Sequence, residues 1–315
     1  MKTKVTEFDF RSVLAQIGRF FSVVALGAAI MTGSSLSAQN LFVSGRDTGG
    51  GEIFQFSWDG VQSIFATGLY MPSDMAFDSA GNLFVVDYEI LRGDLVGNAA
   101  IFEIAPNGTL SIFASRLNYA SSLAINKAGA LFAADYDAGV IYQYKPDRSR
   151  AIFASGLYHP VGMISDSSGN LFVADNSIGN MYQGSIYKYN SAGSRVTIAV
   201  LNPGDRPADL ALDSMGNLYM ADLGGKIYRY DLSGVLRRYN RTTFGSVPNS
   251  AQSLGFDNAG NLFVVGGQSV TTENGTATNA VYKFTPQGAR STFASIDGPG
   301  ESFASLAFRP MACCQ

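Results

Sequence analysis

Histidine is the scarcest of the side chains here that could do acid–base or metal chemistry: His159 stands alone. One imidazole excludes a zinc site built on several His, and any mechanism that needs two, but it leaves a group able to titrate near neutral pH and act as a general base. No nucleophile or orienting acid is marked beside it, so a loop role ahead of Pro160 is the simpler reading of His159. The carboxylates fall into sets. Asp87, Asp135, Asp175 and Asp222 each end a run of the type LFVxD, while Gly45 and Gly266 take that place in two further runs. Such recurrence suits either an anionic rim that gathers cations or a repeated bond from Asp to neighbouring backbone N–H groups. The second is preferred, because Asp beside a turn commonly captures local amides. Tyr70, Tyr119 and Tyr158 recur ahead of another repeated segment and suit either stacking on a ligand ring or packing between repeats.

These residues are carried by a repeat. The segments NLFVSG from Asn40, NLFVVD from Asn82, ALFAAD from Ala130, NLFVAD from Asn170, NLYMAD from Asn217 and NLFVVG from Asn261 are one motif, at spacings of 42, 48, 40, 47 and 44 residues. That period matches four-stranded propeller blades and exceeds that of leucine-rich repeats. Each copy adds an alternating strand (EIFQF, AIFEI, VIYQY, SIYKY, KIYRY, AVYKF). Most add a Gly-containing turn and a segment such as SIFAS, then a short strand such as DMAFD or DLALD leading into a hairpin of the form Asp78-Ser79-Ala80-Gly81. The expected fold is all-β: a six-bladed β-propeller of four-stranded antiparallel blades spanning residues 39–310. The first copy lacks its innermost strand, and SLAFR, from Ser305 to Arg309, is an inner strand with no blade after it. Pairing the two closes the ring and removes free strand edges.

The unit HPVGMISDSSGNLFVADNS…GSIYKYNSAG, from His159 to Gly193, resembles an NHL repeat and equally the blades of the gluconolactonase and senescence-marker-protein family. The resemblance covers essentially all of residues 40–310. It implies a propeller and, in the lactonase branch, one divalent cation at the channel mouth held by Glu, Asn and Asp at the starts of inner strands. Aligned on the hairpin Asp, those positions are Ser73, Ser121, Val161, Ala208, Gln252 and Ala304, and none is a carboxylate. Small neutral side chains do not hold a bare divalent cation. A shift of one residue brings in Asp74 and Asp209, with Ser122, Gly162, Ser253 and Ser305 elsewhere. Two readings follow. In the first, the chain is a binding scaffold without the family's metal. In the alternative, it is a metal-dependent lactonase or hydrolase with calcium or another divalent cation in a remodelled site around Asp74, Asp209 and Asp205.

Residues 1–38 have the order of a secretory signal: Lys2, Lys4, Arg11 and Arg19, then a 13-residue apolar run over 20–32, then small residues up to Ala38. The run is shorter than the roughly 20 residues of a membrane-spanning helix, so export without a lasting membrane anchor is expected. Cleavage there removes four basic and two acidic side chains and takes the net charge from −3 to −5, with no basic face for nucleic acid. Cys313 and Cys314 sit together in the tail at 311–315 and cannot staple the body. The expected product is a monomeric periplasmic or extracellular propeller whose partner is a small molecule, glycan or protein. Binding is expected of the insertions at 89–99, 176–184, 201–206, 241–251 and 268–279, since loops on a rigid scaffold carry recognition.

Overall fold

The computed structural model describes residues 39–47, 50–88, 99–176, 183–231, 240–267, 278–297 and 302–310. The segment 1–38, the paired cysteines and most of the insertions at 89–99, 176–184 and 268–279 lie outside the described residues. Six four-stranded antiparallel sheets follow one another along the chain, as the repeat spacing predicts. Their inner strands are Ser302–Phe308 in blade 1, Met71–Phe77 in blade 2, Ala120–Ile125 in blade 3, Pro160–Ser165 in blade 4, Pro207–Leu212 in blade 5 and Ala251–Phe256 in blade 6. Each inner strand packs beside the next, and that of blade 6 beside that of blade 1, so the six surround a central channel.

Closure is made by the C-terminal strand. It pairs antiparallel with Leu41–Asp47, from Leu41 opposite Phe308 to Arg46 opposite Ser302. This strand therefore starts three residues before the SLAFR segment that marks it in sequence. Arg309, just past its end, lays its guanidinium over Phe42, Phe65 and Phe77 at 4.9, 5.3 and 5.4 Å, and its carbonyl accepts from Gln39 Nε2 at 2.8 Å.

The apolar core is divided among the gaps between blades. One cluster joins Phe42 and Ile53 of blade 1 to Met75, Leu83 and Val85 of blade 2, and five others bridge the remaining neighbouring pairs. A second strand such as Leu171–Asp175 is covered on both faces and buried throughout, which is why it reads as a near-continuous apolar run while its neighbour Ser185–Tyr189 does not. The hairpins after the inner strands are set by their own side chains. Asp166 accepts from the N–H groups of Ser168 and Asn170 and from Asn170 Nδ2, and Asp78, Asp213 and Asp257 do the same in their blades. Gly169 closes that turn at φ +80°, a conformation only glycine adopts freely. Blade 3 shows the rule by exception: Asn126 replaces the Asp, and Ala130 replaces the Asn that would bond to it.

Candidate functional site

The strand-ending carboxylates are consumed by the fold. Asp87 accepts from the N–H groups of Tyr70 and Met71, Asp175 from those of Tyr158 and His159, Asp222 from those of Arg206 and Gly224, and Asp135 from those of Asn118 and Ala138. Each thus ties the loop ahead of an inner strand to the end of the second strand and marks the channel mouth. Burial pushes the Asp175 carboxyl up, against the pull of its two backbone donors. Where Gly266 stands instead, a Cβ would meet Val247 Cγ2 at 2.8 Å, so the loop fills the space that an Asp would need.

Just inside the mouth, every inner strand is bulged. The pairing with the second strand skips Ser121, Val161, Ala208, Gln252 and Ala304, and in blade 2 it skips Ser73 together with Asp74. Asp74 apart, those skipped residues are the six positions aligned from sequence, and they line one narrow cavity of about 60 Å³. The bulge makes them equivalent in space, because an extra residue at the same place re-aims each strand alike. Ser121 Oγ donates to the carbonyl of Pro160 in the next blade at 2.5 Å.

Asp74 and Asp209 lie one residue deeper, in opposite blades, and line both this neck and a chamber of about 270 Å³ on the hairpin side. Asp74 Oδ1 accepts from Met75 N at 2.8 Å and Ser305 Oγ at 2.9 Å, and its Oδ2 accepts from Leu123 N at 2.7 Å. Asp209 Oδ1 accepts from Leu210 N at 2.7 Å, and its Oδ2 from Leu254 N at 3.0 Å and Ser253 Oγ at 2.8 Å. Desolvation pushes both carboxyls up. For Asp209 the negative charge of Asp74 adds to the effect and takes it to about 8. Asp205 is not with them: Arg241 holds it through both guanidinium ends, and it accepts from Asn202 N at 2.8 Å. Among the described residues no group of three or more His, Cys, Asp or Glu converges. A divalent cation such as calcium asks for six or more converging oxygens, and this set, whose carboxylate oxygens already accept N–H and O–H donors, does not fit one.

At the mouth, the tyrosines form a row across blades 2 to 4. Tyr88 stacks on Tyr119 at 4.8 Å, Tyr119 meets Tyr136 at a tilt of 57° and 5.3 Å, and Tyr136 meets His159 at a tilt of 35° and 4.4 Å, while Tyr158 meets His159 edge-on at 5.5 Å. Tyr119, stacked on one side by Tyr88, is still 44% exposed, and Tyr158 is 49% exposed. Tyr70 stands apart under Arg46, at 5.7 Å. Tyr119 and Tyr158 thus pack against rings of neighbouring residues, the second of the two roles that the sequence offers them. Tyr88 and Tyr136 escaped the sequence reading, although a signal exists: in blades 2 and 3 alone, the strand-ending Asp is followed by Tyr.

Comparison with known proteins follows the fold. A family model described as strictosidine synthase-like, N-terminal, matches residues 186–230, about the length of one repeat. No curated protein matches. Among solved structures, a gluconolactonase from Xanthomonas campestris is 18% identical, with a TM-score of 0.60 over 76% of this chain and 80% of that one. A luciferin-regenerating enzyme is 14% identical, with a TM-score of 0.56 over 75% and 79%. A virginiamycin B lyase from Staphylococcus aureus, solved with quinupristin, is 16% identical, with a TM-score of 0.51 over 73% and 71%. At these identities the likeness is one of fold alone: the chain is a six-bladed β-propeller that resembles gluconolactonase structures.

Proposed function

We propose that this chain is an exported binding propeller whose mouth, on the side of blades 2 to 4, takes up a small molecule, glycan or peptide without a metal ion. The observation that carries the reading is the tyrosine row. Tyr119 and Tyr158 are partly exposed at the rim of the channel, and their backbones are pinned, Tyr119 through the N–H of Asn118 to Asp135 and Tyr158 through its own N–H to Asp175. Amphipathic rings with few rotatable bonds give contact area at low entropic cost, which is how tyrosine-rich surfaces bind. That Ser73, Ser121, Val161, Ala208, Gln252 and Ala304, the six aligned positions, are all uncharged supports a reading without the metal of the lactonases.

The test is calorimetric titration of the secreted protein with a panel of oligosaccharides, lactones and short peptides, alongside metal analysis. One ligand class is expected to bind. The double substitution Tyr119→Ala, Tyr158→Ala should weaken it at least tenfold, while Trp58→Ala, in the distant hairpin at 57–61, should not. Stoichiometric calcium or zinc that chelator removes with loss of activity on a lactone would overturn the reading. So would ligand binding that is indifferent to both tyrosines.

A further inference from the structure

The poor fit of the channel waist to a cation has a positive counterpart in its hydrogen bonds. On the channel side every inner strand is an unpaired edge, and the N–H groups there need acceptors. Two residues past each bulge these belong to Met75, Leu123, Met163, Leu210, Leu254 and Leu306. All six are met by side chains. Asp74 takes Met75 in its own blade and Leu123 in the next, and Ser122 takes Met163 at 3.0 Å. Asp209 takes Leu210 in its own blade and Leu254 in the next, and Ser253 takes Leu306 at 3.2 Å.

The order Asp, Ser, then a residue accepting none runs twice round the ring, the silent places being Gly162 and Ser305. A Cβ at Gly162 would lie 2.7 Å from the Asp209 Cα, so only glycine lets Asp209 approach. Ser305 turns its hydroxyl to Asp74 instead, 3.5 Å from the Ser253 hydroxyl that donates to Asp209. The two acids are therefore joined through Ser253 and Ser305, and the second of these belongs to the ring-closing strand.

Among the described residues no Lys, Arg or His lines the neck or the chamber below it, so none of them serves this pair as a counter-ion. The charge of Asp74 acts on Asp209 and reaches Tyr88, whose own hydroxyl is pushed up mainly by burial; Asp87 and Asp222 turn to the mouth loops. We propose that Asp74 and Asp209 retain one proton between them at neutral pH, and that this protonated ring of hydrogen bonds, in place of a bound cation, draws the six inner strands together and makes ring closure sensitive to base. Like charges buried in one site resist ionising together, and the upward shifts at both carboxyls agree.

The direction of the pH effect follows. An unfolded carboxyl gives up its proton near pH 4, whereas the folded pair keeps one up to about pH 8. Stability from this source is complete below pH 4 and is lost as pH rises to 8, the folding constant falling about tenfold per unit between.

The experiment is denaturant unfolding from pH 5 to 9 of the full chain and of Asp209→Asn, whose amide stays neutral. The level of the Asn variant is not the readout, since one N–H loses its acceptor; the slope is. The ratio of its folding constant to that of the parent should climb about tenfold per pH unit up to 8. An infrared carboxylic-acid C=O band present in the parent at pH 6.5 and gone at pH 9 gives the same answer should the variant fail to fold. A ratio flat with pH and no such band would overturn the proposal. So would calcium or zinc at 1 mM stabilising the parent at pH 7.5 but not Asp209→Asn.

Discussion

A single carboxylate such as Asp213 shows how much of this molecule is local chemistry repeated. It accepts from Met215 N, Asn217 N and Asn217 Nδ2, and Asn217 is buried. Replacing Asp213 by Ala leaves a buried amide without an acceptor, which costs about 1–3 kcal/mol. Urea unfolding should show that loss. The double change Asp213→Asn, Asn217→Ala, which copies the natural pair Asn126 and Ala130 of blade 3, should recover a good part of it. If the double variant is as weak as Asp213→Ala, the pairing rule between those two positions is wrong. The same scale explains why the acidic rim suggested by Asp87, Asp135, Asp175 and Asp222 is a set of backbone ties: each carboxylate meets N–H groups within its own blade.

At the scale of the element, the strands differ by what covers them. Second strands lie between blades and are buried on both faces, whereas outer strands have one edge and much of one face in water. Ile64, Ile112 and Ile152 occupy one equivalent outer-strand position, opposite Phe54, Phe102 and Tyr142, and are 59%, 48% and 63% exposed. Thr197, Thr243 and Thr292 hold that position in blades 4 to 6. Changing the three Ile to Thr should therefore shift stability by no more than about 0.5 kcal/mol each and lower aggregation on heating, as light scattering would show. Larger losses would mean that these side chains pack against something on the blade rim.

For the whole molecule, closure is the decisive contact. The strand Ser302–Phe308 covers Leu41 and Val43, supplies Phe303 and Leu306 to the core between blades 6 and 1, and carries Ser305 into the waist. Deleting residues from 302 onward removes the buried side chains of Phe303 and Leu306, each worth about 1.5–3 kcal/mol, and opens the edge of Leu41–Asp47. The truncated chain is expected to lose cooperative unfolding or to melt more than 10 °C lower. Melting within a degree or two of the parent would mean that the ring does not depend on this strand.

The periodic features were legible without a structure because each rests on contacts within one repeat: blade number, strand order, the Asp-x-x-Gly-Asn hairpin, even the phase that leaves one inner strand for the C-terminus. Alignment of the repeats also picks out six positions of one kind, and a bulge that recurs at the same place in every inner strand sets them around one neck. What tertiary structure alone decided is which side chains from different blades meet. Asp74 and Asp209 are 135 residues apart in number yet share a waist, Ser305 reaches Asp74 across the closure, and Asp205, near Asp209 in sequence, is drawn away by Arg241. Sequence neighbours diverge and distant residues converge because the ring places equivalent positions of six blades around one axis, and pairing across that axis has no trace in linear spacing.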